Sequence, residues 1–364
     1  IYGSGRIRRI TLMGAEKGIK RLSLLLFMAA FLAFFAVLSV SQGAAQIDLQ
    51  AVIQALYGDG QSTTDQIIRN IRLPRTVTGM FVGINLALSG AVLQAVMKNP
   101  LADPHIIGVS SGAGLAGIAV MLVFPAYTSF IVPAAFCGAM AAAGLVYVLA
   151  WKNGIRPVRL ILAGVAVSAL LGACISGLLI FYSDRVHGAL MWMVGGLSAK
   201  SWVDVSLIWP YSLAGFLTAV GGAYYLNILR LGDDTAKGLG LNTELTRVVF
   251  TAIAAVLAAS AVSVAGLLGF VGLIVPHVAR LIIGTDYRYI MPASALLGAM
   301  LVTLSDTLAR LLLAPMELPV GVIMAFWGAP FFLFLLRRDV KWPIPFLRLA
   351  IYRVKRAVRR CCTA

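Results

Sequence analysis

The sequence predicts an all-α, polytopic membrane protein with about ten transmembrane helices and both termini on the cytoplasmic side. Three observations carry that prediction. The 364 residues are 60% hydrophobic and 12% charged, with a mean hydropathy of +0.92, whereas a soluble domain is about half apolar and about a quarter charged. Apolar stretches near the roughly 20 residues needed to cross a bilayer recur from Leu22 to Leu336. Lysine and arginine fall unevenly on the loops between them.

In chain order the apolar stretches are 22–40, 76–97, 106–124, 130–151, 160–182, 203–229, 248–267, 269–283, 288–312 and 318–336. The first has no small-residue cleavage site before polar sequence and reads as a retained helix rather than a signal peptide. Pro210 interrupts the sixth, the seventh and eighth are nearly continuous, and the eighth is short for a bilayer. An even number of spans places both termini on one side. That side then holds 24 of the Lys and Arg residues, and the other holds six: Arg69, Arg72, Arg75, Arg185, Lys200 and Arg310. Excess positive charge marks the cytoplasmic face.

The net charge of +16 therefore reflects topology and attraction to anionic headgroups, and gives no reason to expect nucleic acid as a partner. The chain divides into a basic cytoplasmic segment (1–21), a transmembrane domain (22–338) and a basic cytoplasmic tail (339–364). Within the tail, Arg348 to Arg360 can form a basic amphipathic helix on the inner leaflet.

Two loops are long. The outer segment 41–75 is polar; the inner segment 230–247 mixes both charge signs with Gly232, Gly238 and Gly240. Helix formers bracketed by glycines predict one or two short surface helices, a platform on which a partner can dock. Gly79 and Gly83, and Gly266, Gly269 and Gly272, are spaced for close helix approach.

Enzymatic patterns are sparse. Gly108-Val109-Ser110-Ser111-Gly112 matches the nucleophile elbow in letters, but that elbow follows a strand and here an apolar helix begins. An intramembrane protease would need Ser110 and a base such as His277 to meet. His105 and His187 lack metal-ligand spacing. Cys137 and Cys174 fall inside apolar spans, and Cys361-Cys362-Thr363-Ala364 lacks the aliphatic middle of a prenylation box. Asp306 is the clearest ionisable group within a span, yet Arg310 follows four residues on along the same helical face. A local ion pair is the expectation there rather than a proton relay, which leaves a gradient-driven carrier little midplane charge to use. No Gly-Lys dipeptide occurs, so the phosphate-binding loop of an ATPase is missing. Catalytic residues, a metal site and a cofactor of the chain's own are not expected.

Five segments in order resemble the FecCD/BtuC-like permease family of type II ABC importers, which takes up iron–siderophores, haem and vitamin B12. They are Arg72-Leu-Pro-Arg75 with Gly83 to Gly90 and Gln94; Asn99-Pro-Leu-Ala-Asp-Pro104 leading to Gly108; Leu231-Gly232 with Ala236, Leu239 and Gly240; Gly269 to Arg280 with Asp286-Tyr-Arg288; and Glu317-Leu-Pro-Val-Gly321 with Gly328 to Phe331. The resemblance runs from about residue 70 to 338.

It implies a permease subunit in a bacterial inner membrane, paired with a second permease chain. An ABC ATPase dimer would bind the ATP and Mg, and a periplasmic or lipid-anchored binding protein would deliver the cargo. By the same resemblance Arg72, Arg75 and Arg310 grip that binding protein. Leu231, Gly232, Asp233, Asp234, Ala236, Leu239, Gly240 and Leu241 form the coupling platform for the ATPase. Pro157 and Val158 fall at the cytoplasmic gate, where some relatives carry small hydroxyl residues, and the fifth and tenth spans line the pathway.

Overall fold

A computed structural model describes residues 4–43, 48, 50, 52, 54–55, 62–152 and 157–339, without the side chains of 4–17, 336, 338 and 339. The expected tail helix at 348–360 and residues 153–156 before the predicted gate lie outside the described residues.

The all-α expectation holds, and the ten apolar segments reappear in two classes. Among the described residues, seven helices are long and apolar enough to cross a membrane: α1 (Ser4–Ser41, apolar from Gly18), α2 (Thr63–Val96), α4 (Ile131–Ala150), α5 (Pro157–Phe181), α7 (Trp202–Gly221), α10 (Thr243–Ala265) and α12 (Tyr287–Leu311). Three apolar helices are shorter: α3 (Val109–Val123), α11 (Val271–Ile283) and α13 (Val320–Asp339, apolar to Leu335). At about 1.5 Å per residue, the 13 residues of α11 reach only about 20 Å, as the short eighth stretch predicts. Three further helices are brief: α6 (Val186–Val194), α8 (Ala223–Arg230) and α9 (Asp233–Gly238).

Two boundaries differ from expectation. Helix α2 begins at Thr63, so Arg72 and Arg75 lie inside a helix rather than in the outer loop. Ser62 starts it with a capping box, its Oγ accepting from Asp65 N–H at 3.0 Å while Asp65 accepts from Ser62 N–H at 3.2 Å. Pro74 reads as a helix boundary because it lacks an N–H. The chain accommodates it by widening the preceding turn to a π-turn over Ile68–Arg72, where Leu73 N–H donates to Ile68 O. The sixth stretch is likewise not one span. Pro210 sits within a continuous α7, and the break comes at Gly222, before α8.

Burial separates core from periphery. The apolar windows of α2, α10 and α12 are 78%, 72% and 67% buried, against 17% for α1 and α5. Three helices thus form a central pillar, and α1, α4, α5 and α7 present apolar faces outward. Close approach at the pillar depends on glycine. A Cβ on Gly83 would fall 2.2 Å from Gly298 O, and one on Gly298 would fall 2.3 Å from Gly83 O, so α2 and α12 touch backbone to backbone. Gly83→Leu is expected to abolish the folded, monodisperse species on size-exclusion chromatography. Gly144→Ala, which adds its methyl to open space, is expected to leave that species in place.

Candidate functional site

The functional candidates gather at the two ends of α2 and in a cleft along α13. Toward the Thr63 end of α2, Arg75 meets Asp306 as a fork, with Nε 3.0 Å from Oδ2 and Nη2 2.9 Å from Oδ1. Two parallel charge-assisted bonds of this kind fix geometry as well as energy. The remaining Nη1 donates to Glu317 Oε2 at 2.8 Å, and Ser198 Oγ donates to the same oxygen at 3.2 Å. Arg310 Nε lies 3.2 Å from Asp306 Oδ2 at ion-pair distance without hydrogen-bond alignment. The predicted Asp306–Arg310 pair is present, and Arg75 is its unforeseen third member. Burial raises the Glu317 pKa, but Arg75 and Ser198 outweigh it and hold the carboxyl below its ordinary value.

Arg72 and Arg310 also end a helix. The last carbonyls of a helix have no partner within it, and a cation there is favourable. Helix α1 stops at Ser41, and Arg72 Nη1 donates to Val40 O at 2.9 Å and Ser41 O at 2.8 Å. Arg310 donates to Gln42 O at 2.9 Å and Ser39 O at 3.0 Å. The three arginines that the resemblance assigns to gripping a binding protein are thus only 6–7% exposed. Their guanidiniums hold α1, α2 and α12 together.

The opposite end of α2, at Lys98, meets the glycine-bracketed segment 231–241 that the sequence predicts as a platform. Gly232, at φ +113°, turns the chain out of α8 and into α9. Asp233 and Asp234 begin α9 and Lys237 lies in its last turn, each complementing the helix dipole. Gly240, at φ +83°, closes it: Gly240 N–H bonds Lys237 O at 2.9 Å and Leu241 N–H bonds Ala236 O at 3.0 Å. That pair of bonds is a Schellman motif, which favours glycine at this position.

Ala236 is fully buried beneath the platform, while Leu231, Leu239 and Leu245 are 61%, 61% and 59% exposed. Lys98, just beyond α2, donates to Asp233 Oδ1 at 2.6 Å, and Arg247 donates to both Asp233 oxygens at 2.8 and 3.0 Å. Burial raises the Asp233 pKa, but these two cations outweigh it and hold the carboxyl below its usual range. On the other side, Asn227 Nδ2 donates to Asp286 Oδ1 at 2.7 Å and Arg230 Nη1 donates to Thr285 O at 2.8 Å. The platform is therefore pinned to the ends of α2, α10 and α12.

Along α13 lies an apolar cleft of ≈ 710 Å³ lined by Val194, Leu267, Gly269 and Phe270 on one side and by the Gly321–Pro330 face of α13 on the other. Phe270 sits at φ +68°, a conformation costly for a bulky side chain, and its ring packs where a Cβ on Gly328 would stand. Pro157 opens α5, Pro at a first position being preorganised for a helix, and Val158 is 67% exposed.

Ser110 Oγ is buried without a hydrogen-bond partner, so it is not bonded to His277 and the protease pair is not assembled. Gly108 turns at φ +77° between a 3₁₀ turn and α3, so a short helix and not a strand precedes Ser110. Among the described residues no group of three or more His, Cys, Asp or Glu side chains could hold a metal.

A profile described as the FecCD transport family matches residues 31–338. The chain belongs to the FecCD transport family. This FecCD chain is 41% identical over 317 residues to the Fe(3+)-citrate import system permease protein YfmD of Bacillus subtilis, covering 86% of this chain and 95% of that one. It is 44% identical over 281 residues to the cobalamin import system permease protein BtuC of Halobacterium salinarum, covering 77% and 76%. It is 38% identical over 326 residues to the hemin transport system permease protein HmuU of Yersinia pestis, covering 86% and 95%. Among solved structures it resembles an inward-facing metal-chelate type ABC transporter at a TM-score of 0.76 and 30% identity, over 87% of this chain and 99% of that one.

The sequence reading missed the short helix α6 and the role of Arg72 and Arg310 at the end of α1. For α6 a signal existed: Asp184 and Arg185 ahead of the apolar run 186–194. For the arginines none did, because the carbonyls they meet lie about 30 and 270 residues away in sequence.

Proposed function

We propose that this FecCD chain is the membrane-spanning subunit of a binding-protein-dependent ATP-driven importer, carrying a bulky metal chelate inward by alternating access. The observation that carries this reading is the family match over residues 31–338, which takes in every apolar helix from the middle of α1 onward. The cargoes named for the relatives are ferric citrate, cobalamin and hemin. They share one chemistry, a metal enclosed in an organic shell, and this supports a chelate as the cargo class. A wide apolar cleft suits such a cargo, since it offers few groups that would hold it tightly.

The charge distribution supports cytoplasmic termini in a bacterial inner membrane, with segments 1–21 and 339–364 as basic flanks of the transmembrane domain 22–338. The platform Leu231–Leu241 then faces the cytoplasm and receives an ABC ATPase dimer, which binds the ATP and Mg. The arginine cluster faces outward, toward the binding protein that delivers the cargo. A second copy of the chain would complete the pathway, with α5 and α13 toward its centre and Pro157 and Val158 closing against their counterparts at the inner mouth. Helix α2 ties the two docking ends into one body, Arg75 near one end and Lys98 just past the other. The buried set around Asp306 sits at the outer end of α12 with its charges paired, which gives a gradient-driven carrier no free group to titrate there.

Mild-detergent purification of the full chain from its native membranes, with mass spectrometry of what co-elutes, tests the proposal. A P-loop ATPase in stoichiometric amount is the expected result. The chain recovered alone, and still alone after gentle cross-linking, would overturn it.

A further inference from the structure

Arg75 carries two carboxylates that differ in kind. Asp306 is 3% exposed and held by a fork; Glu317 is 43% exposed and meets only Nη1, at 2.8 Å. Breaking the buried fork would strand a guanidinium in a dry place. An incoming carboxylate could take over Nη1 from Glu317 far more readily, exchanging one charge-assisted bond for another at a wet edge.

What Glu317 does next follows from its place in the chain. It stands three residues before α13, and Leu318 N–H bonds Ala309 O at 3.1 Å. Ser198 joins it to the turn after α6, and in the same turn Gly195 O accepts from Gly321 N–H at 3.1 Å. Gly321 packs so tightly there that a Cβ would fall 1.7 Å from Val194 O. Both Val194 and Gly321 line the apolar cleft. A displacement of Glu317 is therefore passed directly to the first turn of the helix that walls the cleft.

We infer that Glu317 is a displaceable latch. In the resting chain it occupies Arg75 Nη1 and holds the start of α13 against the 195–198 turn. A carboxylate from a docked partner takes its place, and the start of α13 is freed at the mouth of the cleft. The partner half of this inference rests on the outer-face docking proposed above. It also gives Arg75, 7% exposed in the resting chain, a route to an external acid: the exposed glutamate leaves and the buried aspartate stays.

The test uses the full chain in lipid nanodiscs, its native cysteines replaced by serine and nitroxides placed at Ile71→Cys and Met316→Cys, both outer-end positions more than half exposed. Pulsed electron resonance is expected to give a narrow distance distribution with Glu317 present. Glu317→Gln and Glu317→Ala are each expected to broaden it or shift it by several Å, in that order of severity. An unchanged distribution in both variants would overturn the latch whatever the partner is.

The second arm measures affinity for the purified binding protein of the same import system. Glu317→Gln is expected to tighten it by about tenfold, because the competing charge is gone. Unchanged or weaker affinity, with wild-type binding intact, would overturn the latch and leave the docking reading standing. No binding by the wild type would overturn the docking reading and the partner half of the latch together.

Discussion

Replacing Asp306 with alanine is expected to destabilise the folded chain by about 3–5 kcal/mol, the usual cost of removing one member of a buried ionic set. Asp306 is 2% exposed and faces both Arg75 and Arg310, each under 10% exposed. Without it Arg75 keeps only the wet Glu317 contact. Arg310 keeps carbonyl partners at Gln42 and Ser39 but loses its counter-charge.

Three segments meet at this point, so the damage does not stay local. The end of α1, the Arg75 segment of α2 and the loop before α13 are all held through these two guanidiniums. Thermal unfolding in detergent, followed by the loss of monodisperse protein, measures the effect. The same variant separates a structural ion set from a proton relay. A relay residue would cost transport while leaving the unfolding midpoint in place; the set described here predicts that the midpoint falls first.

How much of this was legible in the sequence depends on what each feature needs. Membrane helices need only length and apolar composition, both local properties, and among the described residues seven helices meet both while three apolar ones are shorter. The platform was legible because its conformation is local too: Gly232 and Gly240 adopt positive φ, and the charges sit where a short helix would want them. The start of α2 was less legible: the polar residues 63–75 read as loop, and the helix runs through them past Pro74 by way of a π-turn that composition does not reveal. The three arginines Arg72, Arg75 and Arg310 were legible only as charges. A basic residue in a sparsely charged outer region reads as a solvated side chain awaiting a partner. Whether it instead meets α1's last carbonyls or a carboxylate over two hundred residues away is decided by tertiary packing alone. Their charge was readable; their burial was not.

The platform offers the other large effect. Leu231→Asp with Leu239→Asp is expected to abolish retention of the partner ATPase and with it ATP-coupled uptake, while the chain itself stays folded. Both leucines are more than 60% exposed, so the substitutions touch little inside the molecule, and changes at such positions usually stay within about 0.5 kcal/mol in stability. A partner that buries them would lose about 1.5–3 kcal/mol for each and also desolvate two carboxylates, giving a loss of roughly 100-fold or more in affinity.

The frame beneath them is rigid. Ala236 is fully buried, Gly240 closes the helix, and Asp233 is tied to Lys98 and Arg247. The two leucines are therefore presented on a surface already ordered before anything docks, so little entropy would oppose binding. Lys98 begins the chain's exit from α2, the helix that also bears Arg75, so force applied at α9 reaches the outer cluster through one continuous element. Retention of the ATPase by the double variant, with hydrolysis and uptake still coupled, would remove α9 as the docking surface. Loss of the ATPase with an unchanged unfolding midpoint would locate the energy input of this FecCD chain at these two side chains.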